Sequence, residues 1–324
     1  MDSMNNFRAR VAALKQQTEH LPHHTQVLAS SQMQRLTSRL CGLLALGMVV
    51  GWLTASAAHA INCGDTLGPG GRFILPADLD CGTVSPALTV RDGAQLDLGG
   101  HTISGRNVVI LLEGQGGVLH NGIIESATGP GVGIQVAGEG GHTVRRVHVS
   151  GGAAGIVVTS DHNRLITNVV TGVFGPGPAF GIGGHQNLVT SNVATGGQAG
   201  FIISGDDNRL VENTYTASSD LGGRIGFDVS GNQNLLRRNH LVTIPDRGFI
   251  IRGEGNRLVE NLMFGNAMEG ISVSGQETEI VRNVVVGNST DLVDTHEACD
   301  NNRWTQNVFR TSRAGATENP ACIQ

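Results

Sequence analysis

The sequence predicts an all-β solenoid, because two short motifs recur in step with each other along the chain. The first motif is an asparagine pair, Asn-x-x-x-x-Asn, with an aliphatic residue between the two. Its copies begin at Asn163, Asn187, Asn208, Asn234, Asn256 and Asn302. A degenerate copy begins at Thr278, and successive copies start 21 to 26 residues apart. A period of this size indicates stacked supersecondary units rather than one globular layer.

The second motif is a glycine followed by alternating apolar residues. It recurs as Gly133-Ile-Gln-Val, Gly155-Ile-Val-Val, Gly200-Phe-Ile-Ile, Gly226-Phe-Asp-Val, Gly248-Phe-Ile-Ile and Gly270-Ile-Ser-Val. Alternation over four or five residues predicts a short strand, and Gly, Asn, Asp and Ser turns divide each repeat into two or three strands. No repeat has room for a crossover helix, so the strands must become parallel by winding, with one coil per repeat.

Together the two motifs resemble the repeats of right-handed parallel β-helices. This superfold includes pectate lyases, polygalacturonases and periplasmic β-helix carbohydrate proteins. The resemblance covers roughly residues 87–310 and implies a right-handed, single-stranded parallel β-helix of about ten coils of about 22 residues. It also implies that inward asparagines stack along the axis, either Asn163, Asn187, Asn208, Asn234 and Asn256 or their partners five residues on. Function does not follow, because one superfold hosts many chemistries.

The first 60 residues are predicted to be an N-terminal extension plus a secretion signal. Arg35 and Arg39 precede an apolar run at 43–53, and Ala58-His59-Ala60 is a small-x-small cleavage site. The run is too short to span a bilayer. A start at Met33 would give a signal of ordinary length, and the alternative is a cytoplasmic tail before a membrane anchor. The expected location is secreted or periplasmic, with no stable membrane span after cleavage.

The charge balance argues against nucleic acid as a partner. The whole chain carries a net charge of −5. Residues 61–324 carry 17 positive and 25 negative side chains, a net of −8. An acidic chain gives no electrostatic support for binding a polyanion.

Four cysteines follow the predicted cleavage site, and they are expected to close the two ends of the solenoid. Four cysteines allow three pairings, and their placement favours the local ones, Cys63–Cys81 and Cys299–Cys322. We expect a disulfide-bearing N-terminal cap at 61–86 and a C-terminal cap at 290–324 that overlaps the last coil. Export makes disulfides plausible, and no Cys-x-x-Cys spacing indicates a metal site.

A polar residue follows each asparagine start by four positions, and in four successive coils its charge alternates. The four residues are Glu212, Arg238, Glu260 and Arg282. Neighbouring coils lie roughly 4.8 Å apart, so opposite charges should touch. Glu212 and Glu260 stand at about the separation of an inverting glycosidase pair. Because Arg238 stands between them, a surface ion-pair ladder is the better interpretation.

Two motifs resemble catalytic motifs of β-helix enzymes. Asp206-Asp207 and Gly184-His185 resemble parts of the polygalacturonase site, but their order is reversed and ordinary turn chemistry explains them. Asp294-Thr295-His296-Glu297 resembles the Asp-Pro-His-acid motif of mannuronan C5-epimerases, which would make His296 the base and Asp294 its partner. Here Thr295 replaces the proline, and no lysine follows Lys15.

A third candidate site comes from alternation on the Gly-Ile strand, which places every second residue outward. The expected outward rows are Gln135, Val157, Gly183, Ile202, Asp228, Ile250 and Ser272, and two residues further on Ala137, Thr159, His185, Ser204, Ser230, Arg252 and Ser274. We therefore predict catalytic roles for Arg252, Asp228 and His185 and substrate contacts for Ser204 and Ser230. Insertions at Val173–Phe180 and Ser218–Gly223 border this cluster. The alternative is a polar strand face with an Asp228–Arg252 pair and no catalytic role.

Two functions fit these observations. The first is an exported enzyme acting on an extracellular polysaccharide, either a lyase or a uronate epimerase, in which resemblance to β-helix lyases casts Arg252 as the Brønsted base. The second is a non-catalytic solenoid that binds glycan or coats a surface. The mature chain has one tryptophan, Trp304, at an inward position, which weakens the case for sugar stacking. The cofactor is left open: calcium fits the lyase interpretation, but no dedicated motif marks a metal site. Oligomeric state cannot be derived from the sequence.

Overall fold

The computed structural model describes residues 60–127, 129–217, 225–265 and 268–323. The chain divides into two compact units, Met1–His59 and Ala60–Gln324, and the structure describes the second. The predicted secretion signal therefore lies outside the described residues, apart from Ala60. Within the described part of the chain no helix is long and apolar enough to cross a membrane.

The described chain is built from 32 strands, numbered along the sequence, in three columns. The first strand of each coil belongs to one sheet, the first sheet: β1 Thr66–Leu67, β4 Leu88–Arg91, β7 Val108–Glu113, β9 Val132–Val136, β11 Ala154–Val158, β14 Pro178–Ile182, β17 Ala199–Ile203, β20 Ile225–Val229, β23 Arg247–Ile251, β26 Glu269–Val273, β29 Thr290–Asp294, β31 Ser312–Ala314 and β32 Thr317–Glu318.

The second strand of each coil forms another column: β2 Arg72–Ile74, β5 Gln95–Asp97, β8 Val118–Ser126, β10 Thr143–Gly151, β12 Arg164–Ile166, β15 Leu188–Thr190, β18 Arg209–Val211, β21 Leu235–Arg237, β24 Arg257–Val259, β27 Glu279–Val281 and β30 Arg303–Thr305. The third column contains β3 Leu79–Asp80, β6 Thr102–Gly105, β13 Val169–Val173, β16 Val193–Gly196, β19 Thr214–Thr216, β22 His240–Val242, β25 Leu262–Phe264 and β28 Val284–Val286. Strands β8 and β10 run through the bend and serve both columns.

Each strand pairs in parallel with its counterpart in the next coil, so the prediction of a parallel β-solenoid is confirmed. The structure has about 11 coils of about 22 residues, one more than expected. Parallel pairing already begins with Thr66 opposite Thr89, inside the region that the sequence assigns to the cap. At the other end, β31 and β32 form an antiparallel pair that closes the first sheet.

The core is a set of inward columns that the alternation predicts. Phe180, Phe201, Phe227 and Phe249 are fully buried on successive coils. Their rings stack with centroids 4.9, 4.4 and 4.7 Å apart. Because the strand spacing sets this distance, a phenylalanine in each coil extends one continuous apolar stack.

Two columns of buried asparagine run along the coils, one at the bend just before the second strand and one at the bend between the second and third strands. We call Asn163, Asn187, Asn208, Asn234 and Asn256 the first asparagine column. The second asparagine column is Asn168, Asn192, Asn213, Asn239, Asn261 and Asn283. In both, the backbone N–H of one coil donates to the side-chain oxygen of the next, at 2.8 Å from Asn187 to Asn208 and 3.0 Å from Asn192 to Asn213. Each asparagine thereby provides a hydrogen-bond partner for backbone groups that the bend takes out of the strand ladder.

The residue just before the second asparagine column turns the chain by adopting a left-handed conformation. Its φ lies between +53° and +57° in seven coils, at Thr167, Ser191, Glu212, Arg238, Glu260, Arg282 and Gln306. Because the side chain of a left-handed residue points away from the core here, polar residues suit the position.

Disulfides join the predicted cysteines. Cys63 pairs with Cys81 across a Cα–Cα distance of 5.3 Å, and Cys299 pairs with Cys322 across 6.2 Å. The predicted pairing is confirmed. Each bridge closes a short loop at one end of the described solenoid, where an uncapped coil would expose strand edges and core.

Candidate functional site

The outward face of the first sheet holds the residues that the sequence proposes for function. Strand pairing defines its rows directly. Val157 pairs with Gly181, Gly181 with Ile202, and Ile202 with Asp228. The outward row is therefore Gln135, Val157, Gly181, Ile202, Asp228, Ile250, Ser272 and Val293. Two residues further on lie Gly183, Ser204, Ser230, Arg252 and Ser274.

The prediction that Gly183 lies in the first of these rows and His185 in the second is wrong by two residues. In the coil of β14, Phe180 and Ile182 are buried, so Gly181 and Gly183 occupy the outward positions. His185 lies two residues beyond, in the turn toward the second strand. The sequence offers glycine at both 181 and 183, so alternation alone cannot fix which one starts the motif.

His185 instead belongs to a column of turn residues, Asp161, His185, Asp206, Asn232 and Glu254. The backbone N–H of His185 donates to Asp161 Oδ1 at 2.7 Å, and that of Asp206 donates to His185 Nδ1 at 3.0 Å. Asp206 Oδ1 accepts the next backbone N–H, that of Asn232, at 2.7 Å. These side chains satisfy the turns between coils, which is the role that turn chemistry gives Asp206-Asp207.

Asp228 and Arg252 form an ion pair on the outward face, between Arg252 Nη1 and Asp228 Oδ1. The side chain of Asp228 is 19% exposed and that of Arg252 is 46% exposed. From β14 to β26, each is the only charged residue of its row. We call Asp228, Arg252, Ser204 and Ser230 the polar face; it presents one anion, one cation and two hydroxyls on a rigid sheet.

The loops beside the polar face are described only in part. The insertion after β13 leaves a loop from Phe174 to Gly177 before β14 begins at Pro178. The second predicted insertion, at Ser218–Gly223, lies outside the described residues. A polar group on a strand next to a variable loop is a common arrangement for binding sites, because the strand supplies rigidity and the loop supplies shape.

The histidine motif near the C-terminus is built into the cap. Asp294 is fully buried, and its Oδ1 accepts the backbone N–H of His296 at 3.0 Å. Its Oδ2 accepts from Asn302 Nδ2 at 3.1 Å and from Trp304 Nε1 at 3.0 Å. Asp294 thus ties the last coil to the cap. Tyr215, which an epimerase interpretation would need, is buried in the core, and burial raises its pKa to about 12.

The alternating charges on the bend pair as the sequence predicts, and we call Glu212, Arg238, Glu260 and Arg282 the charge column. Arg238 lies 3.8 Å from Glu212 and 2.9 Å from Glu260, and Arg282 lies 3.2 Å from Glu260. Arg238 therefore stands between the two glutamates. The hydrogen bond from Arg238 lowers the pKa of Glu260 below its usual value. The column forms a surface ladder rather than an open carboxylate pair.

A groove over the third strand column of the early coils was not predicted from the sequence. Its cavity measures about 620 Å³, and its lining includes Asp80, Ser104, Glu125, Ser150, Arg106 and Phe174. Four of its five coils precede Asn163, so the asparagine motif does not mark them. The signal that could have revealed the groove is a row of small residues in successive coils, Gly105, Ser126, Gly151 and Gly172.

Comparison with solved structures shows parallel β-helix proteins. The catalytic domain of a GH87 alpha-1,3-glucanase in complex with nigerose is 14% identical, with a TM-score of 0.43. A Dettilon tailspike protein is 15% identical, also with a TM-score of 0.43. A double mutant of a periplasmic alginate epimerase is 9% identical, with a TM-score of 0.36. Identities and scores this low carry no argument about activity.

The overlap with these structures is partial. Each match covers 76% of this chain, but only 53% of the glucanase domain and 60% of the tailspike, against 79% of the epimerase. No curated protein matches the sequence.

One family model matches most of the chain. It is described as periplasmic copper-binding protein (NosD), and it matches residues 103–316. That range runs from the second coil to the C-terminal cap and contains both asparagine columns. A periplasmic family and two disulfides agree with an extracytoplasmic protein. The chain belongs to the NosD family of right-handed parallel β-helix proteins.

Proposed function

We propose that this chain is an exported β-helix protein that binds or acts on an extracellular polysaccharide, with the polar face as a contact surface. The observation that carries the proposal is the Asp228–Arg252 pair, because from β14 to β26 each residue is the single charge of an otherwise uncharged outward row. Ser204 and Ser230 add hydroxyls on the coils before Arg252. Such a surface offers both donors and acceptors to a polyhydroxylated chain that lies across the coils.

The pairing of Arg252 favours binding over turnover at this face. The contact with Asp228 is made through Arg252 Nη1, and a guanidinium carries several further N–H donors that can reach a ligand. Arg252 therefore suits a role as a hydrogen-bond donor to sugar hydroxyls or to a uronate carboxylate. This contact is the specific observation that supports the second candidate function, a glycan-binding solenoid without catalysis.

The copper named in the family's description does not fit the residues described here. No group of three His, Cys, Asp or Glu side chains in the described ranges converges as a metal site. The four cysteines of the described ranges are held in disulfides, Met263 is buried in the core, and Met268 is 48% exposed. Soft thiolate ligands, which favour Cu(I), are therefore not presented by the described residues, and the single exposed thioether of Met268 does not make a copper site by itself. The same absence of a converging cluster gives no carboxylate cage for calcium in the described part of the chain.

The location that we propose is the periplasm or the cell exterior, reached through the predicted signal with cleavage after Ala60. Mass mapping of the exported protein should find Ile61 at its N-terminus. An N-terminus before Arg35 in the exported protein would contradict the signal assignment.

The polar-face proposal is tested by binding and by turnover. The protein is incubated with polysaccharides immobilised on beads, and with soluble uronate polymers while absorbance is followed at the band of unsaturated products. Asp228→Asn and Arg252→Gln should weaken binding while circular dichroism stays unchanged, because an outward pair is removed without leaving a cavity.

Arg257→Gln is the matched control, because it breaks another exposed pair, between Arg257 and Glu279, away from the polar face. Equal losses in the control and in the polar-face variants would contradict the proposal. Product formation that Arg252→Gln abolishes would assign the polar face to a lyase rather than to a binding module.

A further inference from the structure

We infer that the groove over the early coils is a separate binding site for an uncharged oligosaccharide, with Glu125, Asp80 and Phe174 as its principal contacts. The inference rests on the proposed function for the class of ligand, but it places a second site away from the polar face. The groove crosses five coils, from Asp80 to Phe174. At about 4.8 Å per coil, this is a length of about 19 Å. An elongated groove of this kind suits a chain of sugars better than a compact metabolite.

One wall of the groove is a row of hydrogen-bonding side chains, one from each coil. Asp80 pairs with Ser104, Ser104 with Glu125, and Glu125 with Ser150. Strand alternation points all four outward, since Ile103 and Ile124, their neighbours in sequence, are buried. Carboxylates and hydroxyls therefore alternate along the wall at the coil spacing, and both accept hydrogen bonds from sugar hydroxyls.

The carboxylate nearest the centre of this wall is uncommitted. The side chain of Glu125 is exposed, and its carboxylate makes no hydrogen bond or ion pair with any residue in the described ranges. Asp80 is held in place, because its Oδ1 accepts from Ser104 Oγ at 3.0 Å and from Gly82 N–H at 3.1 Å. A carboxylate fixed through one oxygen keeps the other for a ligand. A pair of neighbouring sugar hydroxyls is a good donor for such a group, because both oxygens accept.

Phe174 gives the groove an aromatic surface. Its side chain is 60% exposed, although large apolar side chains are normally covered. The ring lies over Gly172, where an added Cβ would stand 3.8 Å from two of its carbons. Gly172 has a φ of +62°, a conformation that glycine adopts readily. The chain thus holds an exposed ring against a bare backbone, and the other face of the ring is available to stack on the C–H face of a sugar.

The charges of the groove select against acidic and basic ligands. Asp80 and Glu125 repel uronate carboxylates, and Arg106, which has no ion-pair partner in the described chain, repels a cationic peptide. The lining carries one net negative charge, so the electrostatic preference is for a ligand without charge. The two serines and the single ring complete a set that matches a neutral polyhydroxylated chain.

The test measures binding of the full chain to hexasaccharides by calorimetry. The panel contains neutral glucans of different linkage, an oligouronate and an oligolysine peptide. Binding to at least one neutral glucan should weaken by about tenfold or more in Phe174→Ala and in Glu125→Gln. The matched controls are Phe264→Ala, which removes another exposed phenylalanine, and Glu277→Gln, which removes another exposed glutamate; both should bind like the parent.

The outcomes separate this inference from the proposed function. Binding of a neutral glucan that depends on Phe174 and Glu125, but not on Asp228, supports the groove even if the polar face plays no part. Binding that depends on Asp228 alone contradicts the inference of a binding site in the groove and supports the proposal for the polar face. Preference for the oligouronate or the oligolysine at the groove, or no binding of any neutral glucan, overturns the inference.

Discussion

The second asparagine column and the charge column lie side by side on the same bend, and they show how differently burial treats polar groups. Asn213 and Glu212 are neighbours in sequence. Asn213 is fully buried and takes part in four hydrogen bonds through its side chain. Glu212 is 53% exposed and lies 3.8 Å from one arginine. The formal charges are on the outside, but the groups whose loss would leave buried partners unsatisfied are the neutral amides.

The two asparagine columns also differ from each other. In the second column each amide donates both to a backbone carbonyl and to the next asparagine, as Asn239 does to Leu210 O at 2.9 Å and to Asn261 Oδ1 at 3.1 Å. In the first column the Nδ2 atoms of Asn187 and Asn234 are buried with no partner, although their side-chain oxygens accept hydrogen bonds. Equal burial therefore does not give equal hydrogen bonding, and the second column should contribute more to stability.

The largest effect is expected from Asn213→Ala. It removes a side chain with four hydrogen bonds and should lower the free energy of unfolding by about 3 kcal/mol, the upper end for a buried polar group. Asn208→Ala, with two hydrogen bonds, should cost about 2 kcal/mol, and Asn234→Ala, whose side chain accepts one hydrogen bond and donates none, about 1 kcal/mol. Denaturation followed by circular dichroism measures the order. Equal losses at Asn213 and Asn234 would mean that the count of hydrogen bonds does not set the contribution.

An intermediate effect is expected at the head of the first column, where His142 occupies the position of the asparagines. Gly117 N–H donates to His142 Nδ1 at 2.9 Å, and His142 Nε2 lies 2.9 Å from Ala137 O. Burial lowers the pKa of His142 below 6.5, so the folded chain holds the neutral ring. Its stabilising contribution is therefore complete above about pH 6.5, the unfolded value, and is lost as pH falls through the lower folded pKa.

The measurement is the melting temperature between about pH 7 and about pH 4.5 for the parent and for His142→Asn. The parent should lose more stability than the variant on acidification, because asparagine accepts the Gly117 N–H without titrating. Parallel curves would show that His142 does not contribute to the acid sensitivity.

The smallest effect is expected from Glu212→Ala in the charge column. Its partner Arg238 keeps a shorter contact with Glu260, so the loss should stay under about 1 kcal/mol and shrink further in high salt. A loss as large as that of Asn213→Ala would reverse the comparison between the inside and the outside of the bend.

Much of the scaffold could be predicted from the sequence, because each coil requires the same residue types at the same few positions. The asparagine positions, the inward phenylalanines and the terminal disulfides each recur or stand at an end, so pattern and position suffice. The candidate site could be predicted less completely than the scaffold. His185 was placed in the wrong row because two glycines compete for one register. The pairing of Asp228 with Arg252 could be predicted, because alternation places both side chains outward on neighbouring coils. The groove was not predicted, because a row of glycine and serine residues gives no periodic apolar pattern in the sequence.

The constant spacing between the buried phenylalanines and the first asparagine column determines where residues can be inserted into this chain. Phe180, Phe201, Phe227 and Phe249 each precede an asparagine of the first column by seven residues, at Asn187, Asn208, Asn234 and Asn256. The interval from the first to the second column is also constant, at five residues. In these four coils, variation in coil length is therefore confined to the segment between the third strand and the next first strand, as between β13 and β14. New loops can be grafted there without shifting the register of either neighbour, whereas a single residue inserted between Phe227 and Asn234 would put every later side chain of that coil out of phase.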